Sequence, residues 1–419
     1  MSWQSLSAAV LAGCCVVLAG YAAAQDAAGT SISYLAQDAP AGMSQAVVVR
    51  GLPLVYTRML LPVDRQGKVV GEGSADRQVE QVLTNLEAVL NAAGTGLSKV
   101  VRLNVYALSH QTTDSVRERL SKRVGPSVRP AITTVLTPLP HRKALVAVDA
   151  IAAHSASAGS QQKIGRSTPG RAVTLYRCKA VSGEEQCADA AVLPPGGVAY
   201  VSGVPARSGL TVPAVTKSLA VLFETLRQLQ VTPAQVVQLK VFLLPAASAD
   251  EVLAEVKKFF PGQAVPPVVF VEWLASAPVE VELVAALPAA DRPAAGVEFY
   301  NPPDVRPSAG FSRVALVRAE TQIFTSSLWG RAPGDAEAQA RDVFDQLQSI
   351  LSRTGSDMLH LAKATYYVSD DEASKALDQV RPDFLDPLRP PAASKVTVHG
   401  VGRPGRTLSM DMIAVGGSR

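Results

Sequence analysis

The stretch Gly94-Thr95-Gly96-Leu97-Ser98-Lys99-Val100-Val101-Arg102-Leu103-Asn104-Val105-Tyr106 decides the fold, because the chain writes it three times. It returns as Val231-Thr232-Pro233-Ala234-Gln235-Val236-Val237-Gln238-Leu239-Lys240-Val241-Phe242. The third copy is Gly355-Ser356-Asp357-Met358-Leu359-His360-Leu361-Ala362-Lys363-Ala364-Thr365-Tyr366-Tyr367. An internal repeat redefines the unit that folds. Upstream of the first copy, Val79, Val82, Leu83, Leu86, Val89 and Leu90 recur at three- and four-residue spacing and predict one apolar helical stripe. Leu219, Leu222 and Leu226, then Phe344, Leu347 and Leu351, are the counterparts, and Gly94 and Gly355 predict helix C-caps.

Outward from that block, each copy predicts the same order: short apolar strands, a helix, a strand, a second helix and a closing strand pair. The blocks are 30–152, 171–286 and 297–417. Ser- and Gly-rich 153–170 and Pro- and Ala-rich 287–296 lack periodicity and read as linkers. One mixed sheet with both helices on one face makes a two-layer α/β domain. The bare sheet faces need covering, and three tethered copies can pack them together as an intramolecular pseudo-trimer, so a monomer is expected.

Of the 419 residues, 47% are hydrophobic and 18% charged, and the net charge of +4 is spread without a basic run. That disfavours a nucleic-acid partner. Residues 1–24 read as an export signal: Leu6 to Ala24 is almost wholly apolar or small, and Ala22-Ala23-Ala24 supplies a cleavage pattern at Ala24. Leu11-Ala12-Gly13-Cys14 also fits a lipoprotein box, so a lipid anchor at Cys14 is the alternative to a periplasmic or extracellular protein. No other stretch is long enough to span a bilayer. After the signal only Cys178 and Cys187 are left, flanking a polar Gly-containing loop, and an oxidising compartment predicts a disulfide between them. The five histidines show no metal-ligand spacing, and no phosphate-binding loop or dinucleotide fingerprint is present, so no metal or cofactor is expected.

The blocks resemble the RidA family (reactive intermediate deaminases, also called YjgF). The resemblance rests on Leu83 to Ala107, on Arg129-Pro130-Ala131-Ile132-Thr133-Thr134-Val135 and on Val146-Ala147-Val148-Asp149-Ala150-Ile151-Ala152. It is repeated by Pro391-Ala392-Ala393-Ser394-Lys395-Val396 with Leu408-Ser409-Met410-Asp411-Met412-Ile413-Ala414. The more diverged second copy has Pro267-Val268-Val269-Phe270-Val271-Glu272 with Val279-Glu280-Val281-Glu282-Leu283-Val284. It implies chorismate-mutase-like trimeric packing, with ligands in clefts between neighbouring units. It also implies an arginine that grips a substrate carboxylate, and a guanidinium suits that task. Carried over, that position is Ile132, Val268 and Ala393: the arginine is absent three times. Neither Arg129 nor Arg389 is placed to replace it, since one falls on the opposite face and the other about 13 Å away.

The family's water-handling acid falls on Ala147, Glu280 and Ser409, and its Ser-Gly donor pair on Arg58-Met59, Ser202-Gly203 and Ser326-Ser327. Only the second copy keeps a carboxylate. The resemblance therefore implies a non-catalytic binding or scaffold protein, holding an apolar or neutral small molecule in an inter-repeat cleft. The alternative is residual imine or enamine hydrolysis at a cleft containing Glu280.

Overall fold

In the computed structural model, the described residues are 23–26, 30–154, 163–164, 173–288 and 296–417, except 182, 184, 185, 208, 304 and 307. The expected signal and its Cys14 box lie outside them up to residue 22.

The first repeat runs β1 (Ala23–Asp26), β2 (Thr30–Leu35), β3 (Ala46–Arg50), β4 (Leu54–Thr57), α1 (Ala75–Ala92), β5 (Val100–Ala107), α2 (His110–Val124), β6 (Ala131–Leu136) and β7 (Val146–Ala153). Next come β8 (Lys163–Ile164), β9 (Thr174–Tyr176), β10 (Ala190–Leu193), β11 (Val198–Ala206), α3 (Thr211–Gln228), β12 (Val236–Leu243), α4 (Ala249–Lys258), β13 (Val268–Glu272) and β14 (Val279–Ala286). The third comprises β15 (Val297–Tyr300), β16 (Val314–Val317), β17 (Thr321–Thr325), β18 (Leu328–Trp329), α5 (Ala336–Arg353), β19 (Leu361–Val368), α6 (Asp371–Val380), β20 (Ala392–Thr397) and β21 (Leu408–Val415). Ala24, the expected cleavage position, is in β1, paired with Ile32.

The long helices start and stop as their residues dictate. Ser74 and Asp335 cap α1 and α5 by accepting from backbone N–H groups in the first turn. All three end on a left-handed residue: Gly94 (φ 78°), Gln230 (φ 57°) and Gly355 (φ 79°). The next residue's N–H returns to the carbonyl of Leu90, Leu226 or Leu351, closing the last turn. The second copy keeps this geometry with a glutamine, so the glycine signal there is invisible while the turn is not.

Each sheet has the same centre. The orders β6-β5-β7-β4, β13-β12-β14-β11 and β20-β19-β21-β17 repeat, with a parallel edge pair and antiparallel pairs beyond it. The repeats are nevertheless not self-contained blocks. β3 and β4 are joined by three residues, yet they do not pair: β3 pairs with β17 of the third repeat, and β4 pairs with β10 of the second. Likewise β16 pairs with β11. Every repeat hands its leading strands to another repeat's sheet, and the exchange closes in a ring.

The helices cover one face of each sheet over a private core. The other three faces meet along a pseudo-threefold axis, where Tyr56, Tyr200 and Phe324 sit at equivalent positions near one end. Tyr106, Phe242 and Tyr367 do the same towards the other, with Trp273. These aromatic rings are almost wholly buried, so the packing of sheet on sheet dominates the interior.

Contrary to the sequence expectation, Cys178 and Cys187 are not joined; both are buried free thiols. Register gives the reason. Tyr176 pairs with Ala190, and continuing that antiparallel ladder sets residue 178 opposite 188, so Cys187 points to the other face. Cys178 packs into the first repeat's core and Cys187 into the second's. Burial pushes both thiols up from their ordinary value. Alkylation of the denatured, unreduced protein is therefore expected to label both residues in peptide mapping. A labelled product only after reduction would contradict the structure.

Candidate functional site

The parallel ladders set the three lost-arginine positions on one equivalent rung: Ile132 opposite Leu103, Val268 opposite Leu239, Ala393 opposite Ala364. In a parallel ladder the residue on such a rung turns its own N–H and C=O outward. Each outward edge meets the loop after the neighbouring repeat's strand. Ser327 N–H donates to the Ile132 carbonyl and Met59 N–H to that of Val268, both at 3.0 Å. The Ile132 N–H donates to Ser326 Oγ and the Ala393 N–H to Ser202 Oγ, both at 2.8 Å. The structure thus brings Ile132 to Ser326, Ala393 to Ser202 and Gly203, and Val268 to Arg58 and Met59. Three interfaces result, and they have diverged.

Between repeats 1 and 3 the interface is filled. Arg102 is buried and its guanidinium donates to Asp411 Oδ1 (2.9 Å) and to the carbonyls of Thr325 and Met412 (both 2.8 Å). It also lies over the Phe324 ring, and Thr133 Oγ1 donates to the same carboxylate. An arginine is present after all, from a different strand, but it is committed to the protein itself. A buried ion pair of this kind is very sensitive to loss of one partner, about 3–5 kcal/mol.

Between repeats 2 and 3, Lys363 Nζ donates to Glu282 Oε2 at 2.7 Å, and Ser394 donates to the same oxygen. That ion pair holds the Glu282 carboxyl below its usual range, against the burial that raises it. Two residues away on the same face, Glu280 has a different fate. Its Oε1 is buried with no hydrogen-bond partner. Burial, then the neighbouring Glu282 charge, push its pKa up to about 7. Gly203 makes the space: a Cβ there would collide with Glu280 Oε1 and fall 2.7 Å from Ser394 Oγ. Arg313 donates to the Gly203 carbonyl at 3.2 Å, bringing a guanidinium beside the carboxyl.

Between repeats 1 and 2 the serine is replaced. Arg58 stands where Ser202 and Ser326 stand in the other copies, so no hydroxyl faces the Val268 N–H. Arg58 Nε donates to the buried Asp189 at 2.6 Å, and Arg177 lies 3.6 Å from the same carboxylate. Beside them is a cavity of about 250 Å³ walled by Val268, Met59, Leu61, Val63, Leu253 and Phe270. Ala147 occupies the acid position here, and Ser409 does so between repeats 1 and 3. Gln238 stands where Arg102 and Lys363 stand elsewhere, and donates to the Thr57 carbonyl at 2.7 Å. Asp149 consequently has no ion-pair partner of that kind. Asn104 and Tyr106 donate to it, and burial raises its pKa.

The sequence pattern missed this second tier of residues. Asp149, Glu282 and Asp411 are acidic in all three copies at one register, and Arg102, Gln238 and Lys363 are polar at another. Acids repeated on otherwise apolar strands were the available signal. No group of three or more His, Cys, Asp or Glu with metal-holding geometry is found among the described residues. Nor is any described helix long and apolar enough to cross a membrane.

The sequence profile of the endoribonuclease L-PSP family matches residues 35–154 and 304–416. The chain belongs to that family, the RidA or YjgF group. The matched segments are the first and third copies. RutC family protein slr0709 of Synechocystis is 31% identical over 116 residues, covering 27% of this chain and 88% of the relative. The mitochondrial protein mmf1 of Schizosaccharomyces pombe is 33% identical over 92 residues, 22% of this chain and 54% of the relative. Among solved structures, a putative endoribonuclease of Thermotoga maritima is 31% identical, covering 29% of this chain and 92% of its own, with a TM-score of 0.23. The YjgF family member NMB1025 of Neisseria meningitidis is 21% identical, covering 29% and 97%, also at 0.23.

Glu280 gives a signed pH dependence. Its ordinary pKa is 4.5 and its folded value about 7. Between those values the native state keeps a proton that the unfolded chain releases, so stability falls as pH rises across that window. The full effect is roughly 3 kcal/mol. Glu280→Gln is expected to flatten that part of a urea-denaturation profile taken from pH 4.5 to 8. An unchanged slope would mean that Glu280 titrates normally.

Proposed function

We propose that this chain is an exported, monomeric binding protein, and that its ligand is a small carboxylate with an apolar body held between repeats 1 and 2. The observation that carries the reading is the exchange of a serine for Arg58 at the rung of Val268. Elsewhere a serine hydroxyl occupies the outward N–H of that rung. Here the N–H of Val268 is left beside a cavity lined by Arg58 and Arg177, which share the single buried carboxylate of Asp189, by Asp250, and by aliphatic and aromatic walls. A carboxylate can accept from the N–H and from an arginine together, since planar guanidinium and carboxylate match. The apolar remainder can displace water from Phe270 and Leu253. The neutral ligand expected from Val268 alone gives way to an anionic one, because the charge has moved along the chain rather than vanished. Ala147 stands at the acid position here, so the carboxyl that would handle water at that position is missing, and the reading is of binding without turnover.

A second reading attaches to the repeat 2–repeat 3 interface, where Glu280 is poised near neutrality. A carboxyl of that kind can take a proton from water as the water adds to a C=N carbon. Returned to the carbinolamine nitrogen formed from a protonated imine, that proton makes an ammonium leaving group, and as the C–N bond breaks the hydroxyl proton passes to the carboxylate, leaving a carbonyl and ammonia. The Glu280 oxygen without a partner supports this chemistry.

Both readings are separable on one preparation. Isothermal titration with benzoate is expected to show one site per chain, weakened at least about tenfold in Arg177→Ala, with benzamide binding more weakly than benzoate. Benzoate binding equally to both proteins would sink the carboxylate reading. Imine hydrolysis that is above buffer in the native chain and absent in Glu280→Gln would establish the second reading instead.

A further inference from the structure

The axis has two unlike ends. At one, Trp273 and Tyr367 close the interior, and Thr137 Oγ1 ties across the repeats to the Glu272 carbonyl at 2.9 Å. At the other, three turns surround an open cavity of about 620 Å³: residues 51–53, 194–197 and 318–320, one turn from each repeat. It is separate from the three clefts, which open at the sheet edges. Its volume is within the roughly 300–1,000 Å³ range of small-molecule sites.

Its floor breaks the pseudo-symmetry in one place. Leu54, Val198 and Gln322 occupy equivalent positions, two positions before Tyr56, Tyr200 and Phe324, and all three line the cavity. Leu54 and Val198 are buried and apolar, whereas Gln322 carries an amide. That amide is oriented. Tyr200 donates to Gln322 Oε1 at 2.7 Å, and the hydroxyls of Tyr56 and Tyr200 lie 3.4 Å apart. The oxygen is thereby fixed inward and the NH2 group is left on the cavity side, a donor held in place before any ligand arrives. At the rim, Arg318 is tied to the Pro288 carbonyl at 3.1 Å, and Glu320 supplies a compensating charge. The paired signs give no net attraction for an ion. Leu52, Leu193, Pro195 and Val317 provide the apolar wall.

We propose that this end of the axis binds a neutral small molecule with an apolar body and a carbonyl oxygen at its tip. The carbonyl enters first and accepts from the Gln322 NH2, while the body covers the leucine, valine and proline wall. Gln322→Leu restores the apolar character of its two counterparts and removes only the donor. Leu52→Trp fills the half-exposed rim without touching the floor. δ-Decalactone is the probe, titrated calorimetrically, with the ¹⁵N signals of the Gln322 amide followed in parallel. Binding to the native chain is expected, with the Gln322 NH2 signals displaced. Affinity should drop about fivefold in Gln322→Leu, the effect of one neutral hydrogen bond, and be lost in Leu52→Trp. Arg177→Ala, which alters the repeat 1–repeat 2 cavity, should leave it unchanged. No heat and no shift with the native chain would overturn the proposal. So would binding that persists in Leu52→Trp or is lost in Arg177→Ala.

Discussion

The structure depends on a refusal of neighbouring strands to pair. Three residues separate β3 from β4, enough for a hairpin, yet the pair opens and each strand finds its partner in a different repeat. Repeated at each copy, this makes every sheet a composite. The centre comes from one repeat and the outer strands from another. Ladder hydrogen bonds then cross each repeat boundary in addition to the apolar packing on the axis. A strand edge that would otherwise be open is covered within the chain, which is the economical answer to the hazard of exposed edges. The repeats are units of sequence, but the ring is the unit of structure.

Site divergence stems from that ring. The exchange sets residue 189 beside Arg58 and residue 313 beside Ser202, so each interface is assembled from the loop of one repeat, the edge of a second and an exchanged strand. A homotrimer must repeat any change three times. This chain can change one interface and leave the others intact. It has filled one with Arg102 and Asp411, kept a carboxyl near neutrality in another, and opened a cavity with two arginines in the third. The buried ion pairs Arg102–Asp411 and Lys363–Glu282 also join repeats, so the polar belt between the two aromatic layers fixes how the sheets meet.

Much of this was legible in the sequence. The apolar stripe from Val79 to Leu90 gave α1, and the constant offsets among Ile132, Val268 and Ala393 gave their common rung. The strand exchange was not legible, because β3, β10 and β16 are four or five residues of similar apolar pattern. Any of them fits against β4, β11 or β17 in the same register, and tertiary context chooses. The Arg58–Asp189 pair was hidden for the same reason, being formed only once the exchange brings the two together. Cys178 and Cys187 misled because their spacing suggests a hairpin bridge, while a one-residue difference in register sends them to separate cores. Asp149, Glu282 and Asp411 were visible as repeated acids, but the partners of Glu282 and Asp411 lie on other repeats.

The exchange itself is testable in one experiment. Arg50 and Thr321 are directly paired across β3 and β17, and neither is buried. A double variant, Arg50→Cys with Thr321→Cys, would be oxidised in the folded state and then cut by a protease site placed in each linker. On a denaturing, non-reducing gel the first and third repeats should migrate together, with the second released. Three separate fragments would mean that β3 stays with its own repeat, and the ring would have to be abandoned.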